Sequence, residues 1–115
     1  MSEAPIDLAI FEELRATTGP EFTAELIETF LEEAPGMIDE LRSARADGDN
    51  ERFQRAAHSL KTNANTFGAM RLAAMARDLE LGGLTGEPNR DEAALTELES
   101  AQAAAAAALK ALSHA

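Results

Sequence analysis

Apolar residues recur at intervals of three and four through most of this chain, and no stretch alternates with period two over a useful length. That is the periodicity of helices buried along one face. A short first helix is expected over about Ile6 to Ala16. Thr17-Thr18-Gly19-Pro20-Glu21 then reads as a restart: Thr18 with Glu21 three residues later resembles a capping box, and Pro20 suits a first turn. The second helix runs on to about Ala46, with Phe22, Leu26, Ile27, Phe30, Leu31, Ala34, Met37, Ile38 and Leu41 in helical phase. Pro35 removes a helix hydrogen bond and disfavours helix at Ala34. The apolar phase survives Pro35-Gly36, so one kinked helix is preferred to two.

Asp47-Gly48-Asp49-Asn50 is a tight turn that ends in helix-capping residues. A third helix follows over about Asn50 to Phe67, punctuated by Gly68. A fourth covers about Ala69 to Leu81, with Leu72, Met75, Ala76 and Leu79 on one face, and Gly82-Gly83 stops it. Asn89 with Glu92 resembles another capping box and opens a fifth helix, about Arg90 to Leu112. The alanine run from Ala103 to Ala108 extends that helix, because alanine has the highest helix propensity. Short connections between long amphipathic helices predict an all-α fold: an antiparallel up-and-down four-helix bundle with an additional short N-terminal helix covering one end. No repeat or linker divides the chain, so residues 1–115 are read as one domain.

Composition narrows the function. With no cysteine, disulfides, thiolate metal sites and cysteine nucleophiles are excluded. No apolar run is long enough to span a membrane. Met1-Ser2-Glu3-Ala4-Pro5 lacks the basic and apolar regions of a signal peptide, so the cytoplasm is the expected location. The formal charge of −11 argues against nucleic acid and against an anionic membrane surface. It is unevenly spread. From Leu41 to Arg77 there are seven basic residues against three acids, and the rest of the chain has three basic against 18 acidic. That segment is expected to form a basic rim suited to a phosphoryl group or an acidic partner.

One of the two histidines, His58, lies in it. At about 100° per residue, Phe53, Ala56, Leu60, Ala64 and Phe67 fall about 120° to 180° from His58, and Ala57 about 100°. Glu51, Gln54, Arg55, Lys61, Thr62 and Asn65 fall within about 60°. His58 therefore stands near the middle of a polar face, with Lys61 and Thr62 one turn on. An exposed imidazole at neutral pH is largely neutral and nucleophilic, and Lys61 offers a point charge to phosphoryl oxygens. Other chemistries lack parts: no further ligands are spaced for a metal around His58, no serine sits on a strained turn, and there is no Walker-type glycine loop. Glu12-Glu13 and Glu32-Glu33 read as solvated faces, Met70 and Met75 as packing residues. His114, beside the C-terminus, is assigned no role.

The run His58-Ser59-Leu60-Lys61-Thr62, with Gly68-Ala69 ten residues after the histidine, resembles the signature of histidine phosphotransfer (HPt) domains, the intermediate carriers of multistep His-to-Asp phosphorelays. Phe30-Leu31-Glu32-Glu33-Ala34-Pro35, Gly48-Asp49, Leu72-Ala73 and Leu79-Glu80 extend the resemblance, which covers about residues 20 to 84. It implies that His58 is the phospho-acceptor and that Lys61 stabilises the phosphoryl group. It implies response-regulator receiver domains and a hybrid histidine kinase as partners. No cofactor is expected on this chain, a divalent metal being brought by the receiver. Arg55, Thr62, Asn65 and Glu80 are the expected partner-binding residues, Glu80 standing where members of the family often place Glu or Gln near the histidine. Thr62 departs from the family's usual glycine. Docking is expected on the exposed face of the third helix and the adjoining second, with apolar contacts near Phe67 or Met70. The protein is expected to act as a monomer. Two rival readings stand beside this one: a non-catalytic helical adaptor and, behind it, an enzyme with its own substrate.

Overall fold

A computed structural model describes residues 4–113. Among them are five helices and no strand: α1 (Leu8–Thr18), α2 (Pro20–Asp47), α3 (Asn50–Phe67), α4 (Met70–Gly82) and α5 (Pro88–Ser113). Helices α2 to α5 close a four-sided bundle, with α3 and α5 each packed between α2 and α4, and α1 lies against α2 and α3. The all-α bundle with a short extra N-terminal helix is as expected. None of the helices is long and apolar enough to cross a membrane.

Ile27, Phe30, Ile38 and Leu41 from α2 meet Phe53, Leu60 and Phe67 from α3, Leu72 from α4, and Leu95, Leu98 and Leu109 from α5, all buried. Ala34, Ala57, Ala64, Ala76 and Ala105 are buried among them. The Phe30 and Phe67 rings lie 5.3 Å apart at 49°, the tilted contact that aromatic pairs favour. Phe67 is thus a core residue and is not available for docking.

Local chemistry explains where the helices begin and end. Asp7 caps α1 by accepting from the Ala9 and Ile10 N–H groups, so Ile6 precedes the helix and the start falls two residues later than expected. Ile6 and Phe11, both buried, occupy the two positions of a hydrophobic staple. The Thr18–Glu21 capping box does not form. Thr18 is still helical, and the N-cap of α2 is Gly19, with φ 87° and ψ 151° and no side-chain cap. The Thr18 and Thr23 hydroxyl oxygens instead lie 2.7 Å apart; one hydroxyl donates to the other, and the second donates to a carbonyl, Leu14 for Thr18 or Gly19 for Thr23, so buried Thr23 keeps a partner. α2 passes through Pro35 as one helix, with Ala34 inside and Pro35-Gly36 on the exposed side, where the proline ring meets no core side chain.

The α2–α3 and α3–α4 joints repeat one motif. Asp49 N–H reaches Ala44 O and Gly48 N–H reaches Arg45 O; likewise Ala69 reaches Ala64 and Gly68 reaches Asn65. Asp49 then caps α3 through the Arg52 N–H. The second expected capping box, Asn89 with Glu92, is also absent. Pro88 opens α5, which places Asn89 inside the first turn, and the Asp91 carboxylate caps the preceding loop by accepting from the Thr85 N–H and hydroxyl.

Candidate functional site

The face of α3 divides as its helical phase requires. Phe53, Ala56, Ala57, Leu60, Ala64 and Phe67 are buried, Glu51, Arg55, His58, Thr62 and Asn65 are exposed, and Gln54 and Lys61 are half-buried. The His58 side chain keeps 58% of its surface in solvent, so a partner can reach it.

Across from it, α4 supplies Glu80. Its Oε2 lies 2.5 Å from His58 Nδ1 and its Oε1 lies 2.6 Å from Lys61 Nζ. The hydrogen bond from the Lys61 ammonium holds the Glu80 carboxyl below the ordinary glutamate value of 4.5 against the opposing effect of burial, and His58 adds to it. The carboxylate is therefore ionised at neutral pH and has no proton to give, so His58 Nδ1 must be the donor. In the neutral imidazole the proton is then on Nδ1, and Nε2 carries an in-plane lone pair.

The remaining expected residues fall into place around this triad. Gln54, Arg55, His58, Glu80 and Leu81 line a shallow open depression, with Leu81 one of the most exposed large apolar side chains. Arg55 pairs with Glu51 at 3.0 Å on the exposed surface. The Thr62 hydroxyl turns back to donate to the His58 carbonyl at 3.1 Å. Asn65 is exposed one turn beyond Lys61. Met70 is exposed beside Leu8 at the foot of α1. Glu80, expected among the partner-binding residues and near the histidine, lies between His58 and Lys61 and lines the same depression. Its signal was available: His58 and Glu80 stand eleven residues to either side of Ala69, so an antiparallel hairpin about that point sets them opposite each other. His114 lies outside the described residues.

Three of the seven basic residues between Leu41 and Arg77 are engaged in ion pairs between helices. Arg42 pairs with Glu92 and Glu99, and Arg45 with Glu92, joining α2 to α5. Arg52 reaches Glu40 and Asp47, joining α3 to α2. Arg52, six residues before His58 on α3, falls about 120° away from it, so helix phase turns it toward α2. Lys61 and Arg55 are the cations that the triad and its depression hold. Among the described residues no group of three or more His, Asp or Glu side chains gathers closely enough to hold a metal ion.

Comparison with known proteins agrees with this geometry. The family model for the Hpt domain matches residues 25–115. No curated protein matches. Among solved structures the chain is similar to histidine-containing phosphotransfer protein B (HptB) from Pseudomonas aeruginosa PAO1, with a TM-score of 0.87 and 25% identity over 98% of this chain and 97% of that one. The chain belongs to the Hpt domain family, whose members perform histidine phosphotransfer in phosphorelays.

Proposed function

We propose that His58 carries the phosphoryl group, on Nε2, between the aspartates of two receiver domains. The observation that supports this best is the division of roles on the imidazole. Nδ1 donates to Glu80, and Nε2, on a side chain more than half exposed, keeps its lone pair. Attack on an aspartyl phosphate forms the Nε2–P bond as the P–O bond to the aspartate breaks, and the electron pair leaves with the restored carboxylate. No proton has to leave Nε2. The ring becomes a phosphorylated imidazolium whose Nδ1–H still points at Glu80, and the carboxylate charge offsets it. In the onward step a second aspartate attacks phosphorus and the Nε2–P pair returns to the ring as neutral imidazole, a good leaving group.

Lys61 is the second participant. Its ammonium is a point charge on a flexible stem, suited to moving from Glu80 to the phosphoryl oxygens as they arrive. A divalent metal held by the receiver would neutralise those oxygens further during transfer. Arg55, Thr62 and Asn65 supply the polar surface on which the receiver rests, and a hybrid histidine kinase is the source of the first phosphorylated receiver. This reading is of a monomer acting in the cytoplasm, in keeping with a chain that contains no cysteine and covers its own core.

The test is uptake from a phosphorylated receiver. The protein should gain acid-labile, base-stable phosphate, and His58→Gln should gain none. If His58→Gln is labelled as well as the parent, or several cognate receivers label neither, the phosphate-carrier reading fails and a non-catalytic adaptor takes its place.

A further inference from the structure

The end of α4 is built in an unusual way. If the helix continued, the Leu84 N–H would bond to the Glu80 carbonyl. Two amide side chains from α3 stand between them instead. The Leu84 N–H donates to Asn50 Oδ1 at 2.7 Å, Asn50 Nδ2 donates to Gln54 Oε1 at 3.3 Å, and Gln54 Nε2 donates to the Glu80 carbonyl at 2.8 Å. All three bonds run in one direction, so each amide uses one donor and one acceptor without conflict. Asn50 and Gln54 are one turn apart on α3, which is what lets them touch.

Gly83 is shaped to admit the first of them. A Cβ there would lie 2.5 Å from Asn50 Oδ1, and its φ of +64° is one that other residues rarely adopt. The Asn50 side chain is free for this duty because Asp49 has already capped α3.

We propose that Asn50 and Gln54 are positioning residues for phosphotransfer, acting through the main chain of Glu80 to hold its carboxylate between His58 Nδ1 and Lys61 Nζ. This rests on the reading of His58 as the phosphate carrier. Gln54 fixes the peptide of the very residue that selects the His58 tautomer, and that peptide is near the fraying end of a 13-residue helix. Without the amide pair, the Glu80 carbonyl loses its Gln54 partner, and Glu80 samples positions from which it no longer reaches both His58 and Lys61. Small misplacements at such a site are costly in rate.

The test uses Gln54→Leu and Gln54→Glu, which remove the donor to Glu80 while keeping much of the stem. Two-bond 1H–15N correlation spectra of the unphosphorylated protein report the His58 tautomer without any receiver, so this outcome does not depend on whether His58 carries phosphate. The parent should show His58 mainly protonated on Nδ1; both variants should lose that preference. Transfer from a phosphorylated receiver should slow by about tenfold, with the half-saturating receiver concentration unchanged. In a Glu80→Ala background, Gln54→Leu should slow transfer no further, because its action runs through Glu80. If Gln54→Leu and Gln54→Glu leave the tautomer and the rate at parental values, or if Gln54→Leu slows transfer by the same factor with and without Glu80, the proposal is overturned. Should Gln54→Leu not fold, Gln54→Glu, whose polar side chain suits the half-exposed site, decides alone.

Discussion

Glu80 faces opposing influences: the Lys61 hydrogen bond lowers its pKa, partial burial raises it, and His58 lowers it again, with a net fall below 4.5. A carboxyl whose folded value is depressed stabilises the fold at pH above its unfolded value, and loses that contribution as pH falls through the folded one. Urea unfolding of the parent and Glu80→Gln should therefore show a stability gap at pH 7 that closes as the pH is taken well below 4.5. A gap independent of pH would mean that the ionised carboxylate is not what stabilises the triad. Lys61→Ala should slow uptake from a phosphorylated receiver by about tenfold to a hundredfold, since in the proposed mechanism the lysine meets the phosphoryl group and it also anchors the Glu80 carboxylate at 2.6 Å. Thr62 stands where the family usually has glycine. Its hydroxyl is turned back to the His58 carbonyl, so only a methyl group is added to the docking face. Thr62→Arg, which adds real bulk there, should raise the half-saturating receiver concentration about tenfold or more, with the His58 spectrum unchanged.

At the scale of elements, the α3–α4 hairpin positions everything the site uses, and Gly68 is its hinge. Its φ is +80°, a Cβ would lie 2.8 Å from the Asp7 carbonyl oxygen, and its own carbonyl accepts the Asp7 N–H at 2.8 Å. Gly68→Ala should cost about 1–3 kcal/mol in urea unfolding and raise amide exchange across α1, because strain and collision act at the same point. Gly36→Ala provides the contrast. It lies within α2 with nothing near a new Cβ, and should stabilise by about 0.5–1 kcal/mol. The limits of α3 were legible because Asp49 and Gly68 both signal in the chain itself. The caps of α2 and α5 were not. Thr18 and Asn89 carry the right side chains, but the helix before Thr18 runs too far and Pro88 starts α5 too early. A capping motif can be recognised only when the backbone at the cap is known.

For the whole molecule, the −11 charge and the distribution of arginines show where a linear count stops being informative. The excess of basic residues between Leu41 and Arg77 is real in sequence, yet Arg42, Arg45 and Arg52 each cross to acids on a neighbouring helix. Pairing across helices depends on packing, which periodicity does not reveal. The buried stripe of α3 was legible because one helix's phase suffices to derive it, and so was the exposure of His58. The depth of Glu80 between His58 and Lys61 needed the hairpin, and the Asn50–Gln54 amide pair needed the third dimension altogether. The assembled molecule places one imidazole nitrogen of an exposed histidine against a carboxylate, and in the proposed mechanism the other takes phosphorus. The decisive measurement is therefore NMR of the protein with 15N-labelled histidine after phosphoryl transfer from a receiver. Phosphorus should couple to Nε2 of His58, with Nδ1 still protonated and His114 unchanged; phosphorus on Nδ1, or a His58 that remains unmodified while the protein is labelled elsewhere, would overturn the mechanism.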